Sequence, residues 1–253
     1  MEDAQTWPQP EPDPEASPPP ARGPFWGYSD LALFLGALLP AAAASGIVFF
    51  AITRLAPATT LPKAFPAITL QFLSYGFWFL ALYAIFRLRY QRPFWESLNW
   101  SAPAGAIGRS LLLGPPLAIG VSAMAALMGE PQVEMPIREL LGDPMSIFLV
   151  GLFAVTLGPV CEELTFRGFL LPLLSRTFGT ALGILIAALP FALLHGPQYG
   201  WSWRHVALIG LAGVAFGWER YRTGSTAAAT AMHSTYNLTI FAGFLAMRSQ
   251  GLS

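Results

Sequence analysis

Charged residues are scarce in this chain of 253 residues: they make up 11% of it, whereas 54% is hydrophobic. A soluble domain usually carries about 25% charged residues. A chain this poor in charge lacks the polar surface that would keep it in water, so we predict an integral membrane protein embedded in a lipid bilayer. The formal net charge at pH 7 is +0. Without an excess of basic residues, nucleic acid is not an expected partner.

Cysteine is almost absent, with Cys161 as its single occurrence. One thiol cannot form an internal disulfide or a thiolate metal cluster. The start of the chain also lacks a signal-peptide pattern. Residues 1–26 are instead acidic and rich in proline, which predicts a disordered tail. We predict a single helical membrane domain at 27–247 and a short C-terminal tail at 248–253.

Hydrophobic runs of spanning length, about 20 residues of helix, follow the tail. Together they predict an all-α polytopic membrane protein, a helical bundle of seven or eight transmembrane helices. The eighth would arise from a break in the long fourth run. The seven runs are Leu31–Ile52, Ala67–Phe86, Ile107–Met128, Met145–Leu171, Thr180–His195, Trp203–Trp218 and Ser225–Met247.

Arginines concentrate around the connection between the second and third runs. Loops rich in Arg and Lys usually stay in the cytoplasm, so we predict a cytoplasmic N-terminus in a multi-pass protein of a prokaryotic cell membrane. The arginines that flank this connection are Arg87, Arg89, Arg92 and Arg109. The basic residues on the opposite side are Arg54, Lys63, Arg138, Arg204 and Arg248.

Three charged residues interrupt the fourth run, at Glu162, Glu163 and Arg167. A charge at the bilayer centre costs roughly 3 kcal/mol, so these side chains must pair or face a watered cavity. Glu163 and Arg167 stand at i and i+4 and can form an ion pair. Glu162 lies about 100° around the helix and has no partner within it. Glu162 is therefore the residue least easily explained by packing.

Further polar residues occur in other runs: His195 ends the fifth, and His233 and Asn237 stand one turn apart on the seventh. A carboxylate can take a proton from water, an imidazole can polarise that water or bind a metal, and His with Asn can donate to an oxyanion. Taken singly, His and Asn often only hydrogen-bond one transmembrane helix to another. No His-Glu-x-x-His motif occurs. Any site must be assembled from separate helices.

Three ordered motifs resemble a known family. Glu162-Glu163-x-x-x-Arg167, Phe191-x-x-x-His195 and His233-x-x-x-Asn237 look like the motifs of the CAAX protease and bacteriocin-processing (CPBP) family, over about residues 143–240. This family includes the membrane-embedded type II CAAX prenyl endopeptidases. The resemblance implies a glutamate-dependent intramembrane endopeptidase with an intramembrane active-site cavity, acting on a membrane-associated peptide or protein.

The resemblance also implies roles for six residues. These are the general base Glu162, the water-holding His195, the oxyanion donors His233 and Asn237, and the bracing pair Glu163 and Arg167. Because the family is described as one of metalloproteases, zinc held by Glu162, His195 and His233 is an alternative. Three ligands from these residues would use up the base, so we favour the metal-free version.

Two other classes of function stay open at this point. A membrane scaffold or bacteriocin self-immunity protein would keep the fold without needing catalysis. A proton-coupled transporter that uses Glu162 would predict internal repeats and broken half-helices, which the sequence does not contain. The sequence predicts no particular oligomeric state.

Overall fold

The computed structural model describes residues 23–55, 61–129 and 133–251. Regular secondary structure in these ranges is entirely helical, which confirms the all-α prediction. The α-helices are α1 (Tyr28–Gly36), α2 (Leu38–Leu55), α3 (Phe65–Ala84), α4 (Phe94–Ser97), α5 (Ala106–Met128), α6 (Pro136–Leu140), α7 (Pro144–Val155), α8 (Leu157–Glu163), α9 (Leu171–Phe178), α10 (Thr180–Leu194), α11 (Trp203–Thr223) and α12 (Thr226–Ser249). Two π-helical segments (Ile85–Arg89 and Leu164–Leu170) and a 3₁₀-helix (Gly196–Tyr199) complete the set.

Four stretches of the described chain are long and apolar enough to cross a membrane: Tyr28–Arg54, Phe65–Arg89, Ala106–Met128 and Pro144–Phe178. They correspond to the first four predicted runs, and they make the chain an integral membrane protein. Helix α10 is apolar but has 15 residues. Helices α11 and α12 have 21 and 24 residues, near the length that a bilayer requires. The count of seven or eight spans stays a prediction.

The ends of the membrane domain differ from their predicted positions. Residues 1–22 of the predicted tail lie outside the described residues, but the residues that follow pack on the bundle. Trp26 is buried, its Nε1–H donates to the Phe169 carbonyl at 3.1 Å, and the two rings stack with centroids 5.4 Å apart. The folded body thus begins before residue 27. At the other end, α12 continues past Met247 to Ser249.

The long fourth run bends before it reaches the charged residues. Thr156, between α7 and α8, has φ −118° and ψ −83°, outside the helical region. Pro159 lacks the N–H that would bond the Val155 carbonyl, which explains the break. After Glu163 the backbone widens into the π-helical segment Leu164–Leu170. Such π-helical turns often occur at functional sites.

Helix α12 packs closely against α5 at Gly114. A Cβ atom at this position would lie 2.5 Å from the Met232 carbonyl oxygen and 2.5 Å from the Tyr236 amide nitrogen. Both of those atoms belong to the α12 backbone, so a side chain on Gly114 would push the two helices apart. The absence of a Cβ here sets the position of α12, the helix that carries His233.

Candidate active site

Glu163 and Arg167 form the buried ion pair that their spacing predicts. Arg167 Nη1 donates to Glu163 Oε1 at 2.8 Å, and both side chains are almost completely buried. Arg167 Nη2 also donates to the Gly213 carbonyl of α11 at 2.6 Å. The guanidinium lies over the Phe191 ring of α10, 4.5 Å from its centroid. Because each charge has a partner, the cost of burying the pair is offset.

His233 of α12 joins the same carboxylate. Its Nδ1 lies 2.9 Å from Glu163 Oε1, and because a carboxylate can only accept, Nδ1 is the protonated, donating nitrogen. The imidazole stacks on the Phe216 ring with centroids 4.3 Å apart. With Nδ1 engaged, Nε2 is the nitrogen free to interact with a ligand, and it lies 3.8 Å from Glu162 Oε2.

His195 approaches Glu162 from the end of α10. Its Nδ1 donates to the Phe191 carbonyl at 2.8 Å, since a carbonyl oxygen can only accept. Its Nε2 lies 3.9 Å from Glu162 Oε1. Like His233, it is oriented through Nδ1 and presents Nε2 to the carboxylate.

Glu162 therefore lies between two imidazoles. Its side chain is 19% exposed, and distances of 3.8 and 3.9 Å to the two Nε2 atoms are too long for direct hydrogen bonds. A water molecule can bridge polar atoms at such separations. Arg167 donates to Glu163 and to a backbone carbonyl. The Glu162 carboxylate is thus left for a ligand or a water.

Asn237 is placed differently from the other five predicted residues. Its Nδ2 donates to the Ala154 carbonyl at 2.7 Å, beside the break between α7 and α8. Among the described residues it forms no hydrogen bond with Glu162, His195 or His233. The structure gives Asn237 a contact that stabilises the bent backbone, and the amide nitrogen retains one further N–H.

The three predicted zinc ligands do not form a metal site as they are placed. Within the described ranges, no group of three or more His, Cys, Asp or Glu side chains is arranged to hold a metal ion. No step proposed below uses a metal.

Several residues around the site were not among the predicted site residues. Phe191 and Phe216 enclose Arg167 and His233, and Gly213 supplies a carbonyl oxygen. Phe191 is the first residue of the second motif, four residues before His195, and its place in that motif was the sequence signal that it belongs to the site. Tyr199 follows on the 3₁₀-helix, and burial together with the Glu162 carboxylate raises the pKa of its phenol.

The fold and this site define a helical membrane protein with a carboxylate and two oriented imidazoles brought together from α8, α10 and α12. Residues 144–239 match the type II CAAX prenyl endopeptidase Rce1-like family. The matched region contains all three motifs, and the match confirms the resemblance inferred from them. No curated protein and no solved structure matches the chain.

Proposed function

We propose that this protein is an intramembrane endopeptidase of the CAAX-protease type, in which Glu162 activates a water that hydrolyses a peptide bond. The family is one of proteases, and the helices make the chain an integral membrane protein. The observation that carries the finer proposal is the position of Glu162, 3.8 and 3.9 Å from two imidazole Nε2 atoms and without an ion-pair partner in Arg167.

In the proposed reaction, a water held between Glu162 and His195 loses a proton to the carboxylate as its oxygen attacks the carbonyl carbon. The carbonyl becomes an oxyanion, and the C–N bond then breaks. Glu162 passes its proton to the leaving amine, so the base is regenerated. General acid–base catalysis of this kind contributes about 10²–10⁴-fold to a rate.

The two imidazoles suit different parts of this reaction. His233 Nδ1 donates to a carboxylate, whereas His195 Nδ1 donates to a neutral carbonyl. A hydrogen bond to a carboxylate is charge-assisted and orients the His233 ring more firmly than a bond to a neutral carbonyl would. We therefore assign His233 to the developing oxyanion. His195 accepts a hydrogen bond from the attacking water.

The proposed substrate is a membrane-associated peptide or protein, and the proposed setting is a prokaryotic cell membrane. A cytoplasmic N-terminus is supported by one contact: Arg176, at the end of α9, donates to the Pro24 carbonyl at 2.9 Å. This contact adds a further arginine to the end of the bundle where the N-terminal segment packs. An excess of arginine at one end favours the cytoplasmic side.

The deciding experiment is Glu162→Gln, assayed in nanodiscs on a fluorogenic CAAX peptide with and without a prenyl group. Glutamine keeps the volume but cannot take a proton, so we expect hydrolysis to fall at least about 100-fold while the thermal midpoint is unchanged. Glu96→Gln, at an exposed glutamate, is the matched control and should behave as wild type. Full activity of Glu162→Gln would reject the general-base role. Peptides that accumulate in cells carrying Glu162→Ala would identify substrates.

A further inference from the structure

Arg220, near the C-terminal end of α11, is a buried guanidinium with no carboxylate partner among the described residues. The residue is 8% exposed. Its Nε donates to Thr226 Oγ1 at 3.1 Å, and this is its one hydrogen bond to the described residues. A guanidinium has five N–H donors. The four donors on Nη1 and Nη2 therefore have no acceptor in the described part of the chain.

The nearest acid in sequence is already committed. Glu219 pairs with Arg222 through both carboxylate oxygens, at 2.8 to 3.1 Å, and one of these oxygens also accepts from Ser110. The Glu219 carboxylate therefore pairs with Arg222, and among the described residues no carboxylate pairs with Arg220. A buried charge without a partner is strongly unfavourable, so an anion from outside the described part of the chain is the expected partner.

The tip of Arg220 remains accessible to such an anion. The side-chain atoms of the described residues that are both fully buried and without a hydrogen bond are Asp30 Oδ1 and Glu163 Oε2. Nη1 and Nη2 of Arg220 also lack a hydrogen bond. Because they are not among these fully buried atoms, both nitrogens retain accessible surface. The guanidinium is anchored at Nε and open at its two terminal nitrogens.

This end of α11 has the features of a membrane–water boundary. Trp218 and Tyr221 are 55% and 54% exposed, and their rings lie 5.5 Å apart. Exposed Trp and Tyr collect at the level of lipid headgroups. The Thr226 amide donates to the Asn99 carbonyl, and Asn99 lines a cleft of about 860 Å³ that Arg92 and Arg176 also line. Arg92 and Arg176 add positive charge to this end of the bundle.

We propose that Arg220 binds the phosphate of an anionic phospholipid headgroup at this end of the bundle. Arginine presents paired N–H groups that match phosphate oxygens, and basic pockets between transmembrane helices bind acidic headgroups. The proposal concerns a site apart from Glu162 and does not depend on the protease activity.

The test measures lipid binding by native mass spectrometry of the full chain from nonionic detergent. We compare phosphatidylglycerol, phosphatidylcholine and inorganic phosphate as probes. Wild type should retain phosphatidylglycerol at least tenfold more strongly than phosphatidylcholine. Arg220→Gln should lose this preference. Arg109→Gln is the matched control, because it removes an exposed arginine from the start of α5, the helix whose Ser110 contacts Glu219, and it should keep the preference.

Arg220→Lys decides the matter if Arg220→Gln does not fold. Lysine keeps the charge but lacks the paired N–H groups, so we expect binding of phosphatidylglycerol to weaken severalfold. Three results would overturn the proposal: no preference for phosphatidylglycerol in wild type, an unchanged preference in Arg220→Gln or Arg220→Lys, or inorganic phosphate that displaces the lipid at equal concentration. The last result would assign the site to free phosphate.

Discussion

His233 and Glu163 are hydrogen-bonded at 2.9 Å although seventy residues separate them in sequence. The oxygen that accepts from His233 also accepts from Arg167, which in turn donates to the Gly213 carbonyl. Glu163 is therefore the point at which α8, α11 and α12 are held together. This network fixes the orientation of one imidazole of the candidate site, so the bracing pair and the proposed oxyanion donor form one structure.

The network predicts a large stability loss for Arg167→Ala. Removal of the guanidinium leaves Glu163 buried without its counter-ion, which costs about 3–5 kcal/mol. The stability of Arg167→Lys should lie between that of wild type and that of Arg167→Ala, because lysine keeps the charge but not the planar contact with Phe191. Thermal unfolding in detergent measures both. Arg109→Ala, at an exposed arginine, should stay within about 0.5 kcal/mol of wild type. An unchanged midpoint for Arg167→Ala would contradict the bracing role.

Local spacing predicted the part of this site that lies within one helix. The i, i+4 relation of Glu163 and Arg167 follows from helix geometry alone, and the structure contains the pair. The contact from His233 to Glu163 crosses between helices, and no spacing in the sequence specifies such a contact. The bend at Thr156 falls within the long fourth run, where the sequence had left open the break that would make an eighth span.

Helix ends were the least predictable part of the fold. The predicted sixth run ended at Trp218, whereas α11 continues to Thr223. The continuation is polar and charged, yet Glu219 and Arg220 are buried there by contacts with Ser110 and Thr226. Hydropathy cannot identify such residues as helical and buried, because their partners lie on other elements.

The close contact between α5 and α12 predicts opposite outcomes for two glycines on α5. Gly114→Ala would place a Cβ against the α12 backbone and against Thr235 Oγ1, and overpacking of this kind costs about 1–3 kcal/mol or more. Gly120→Ala has nothing within 4 Å of its Cβ and should gain up to about 1 kcal/mol of helix propensity. Thermal midpoints of the two variants test this. Equal midpoints would show that α12 does not depend on Gly114.

Asp143, the residue before α7, predicts an acid-sensitive contact. Hydrogen bonds from the Ser146 side chain and then from its amide hold the Asp143 pKa below its ordinary value. The carboxylate thus contributes stability above the unfolded pKa of about 3.9, and that contribution is lost as the pH falls through the lower folded pKa. The asparagine of Asp143→Asn cannot titrate. Its thermal midpoint should therefore fall less than that of wild type between pH 5 and pH 3, a range of about one unit either side of the unfolded pKa. Parallel curves would contradict this assignment.

The metal requirement can be tested on the active enzyme. Because Glu162, His195 and His233 do not form a metal site as placed, we expect hydrolysis to survive dialysis against a chelator. Elemental analysis and activity should be measured on the same sample before and after dialysis. Near-stoichiometric zinc whose removal abolishes hydrolysis, and whose return restores it, would overturn this expectation and assign the two Nε2 atoms as ligands.

Asn237 offers the sharpest comparison between the sequence and the structure, because the resemblance assigns it to the oxyanion and the structure gives it the Ala154 carbonyl. The amide nitrogen has two N–H groups, and one remains for a substrate. We therefore expect Asn237→Ala to lower stability by about 1–3 kcal/mol, the cost of an unpaired carbonyl, and to lower kcat by about 10²–10³-fold. The thermal midpoint measures the stability, and kcat is measured well below that midpoint. Thr239→Val is the control, because the Thr239 hydroxyl bonds within its own helix. An unchanged midpoint would exclude the structural role, and an unchanged kcat would exclude the oxyanion role.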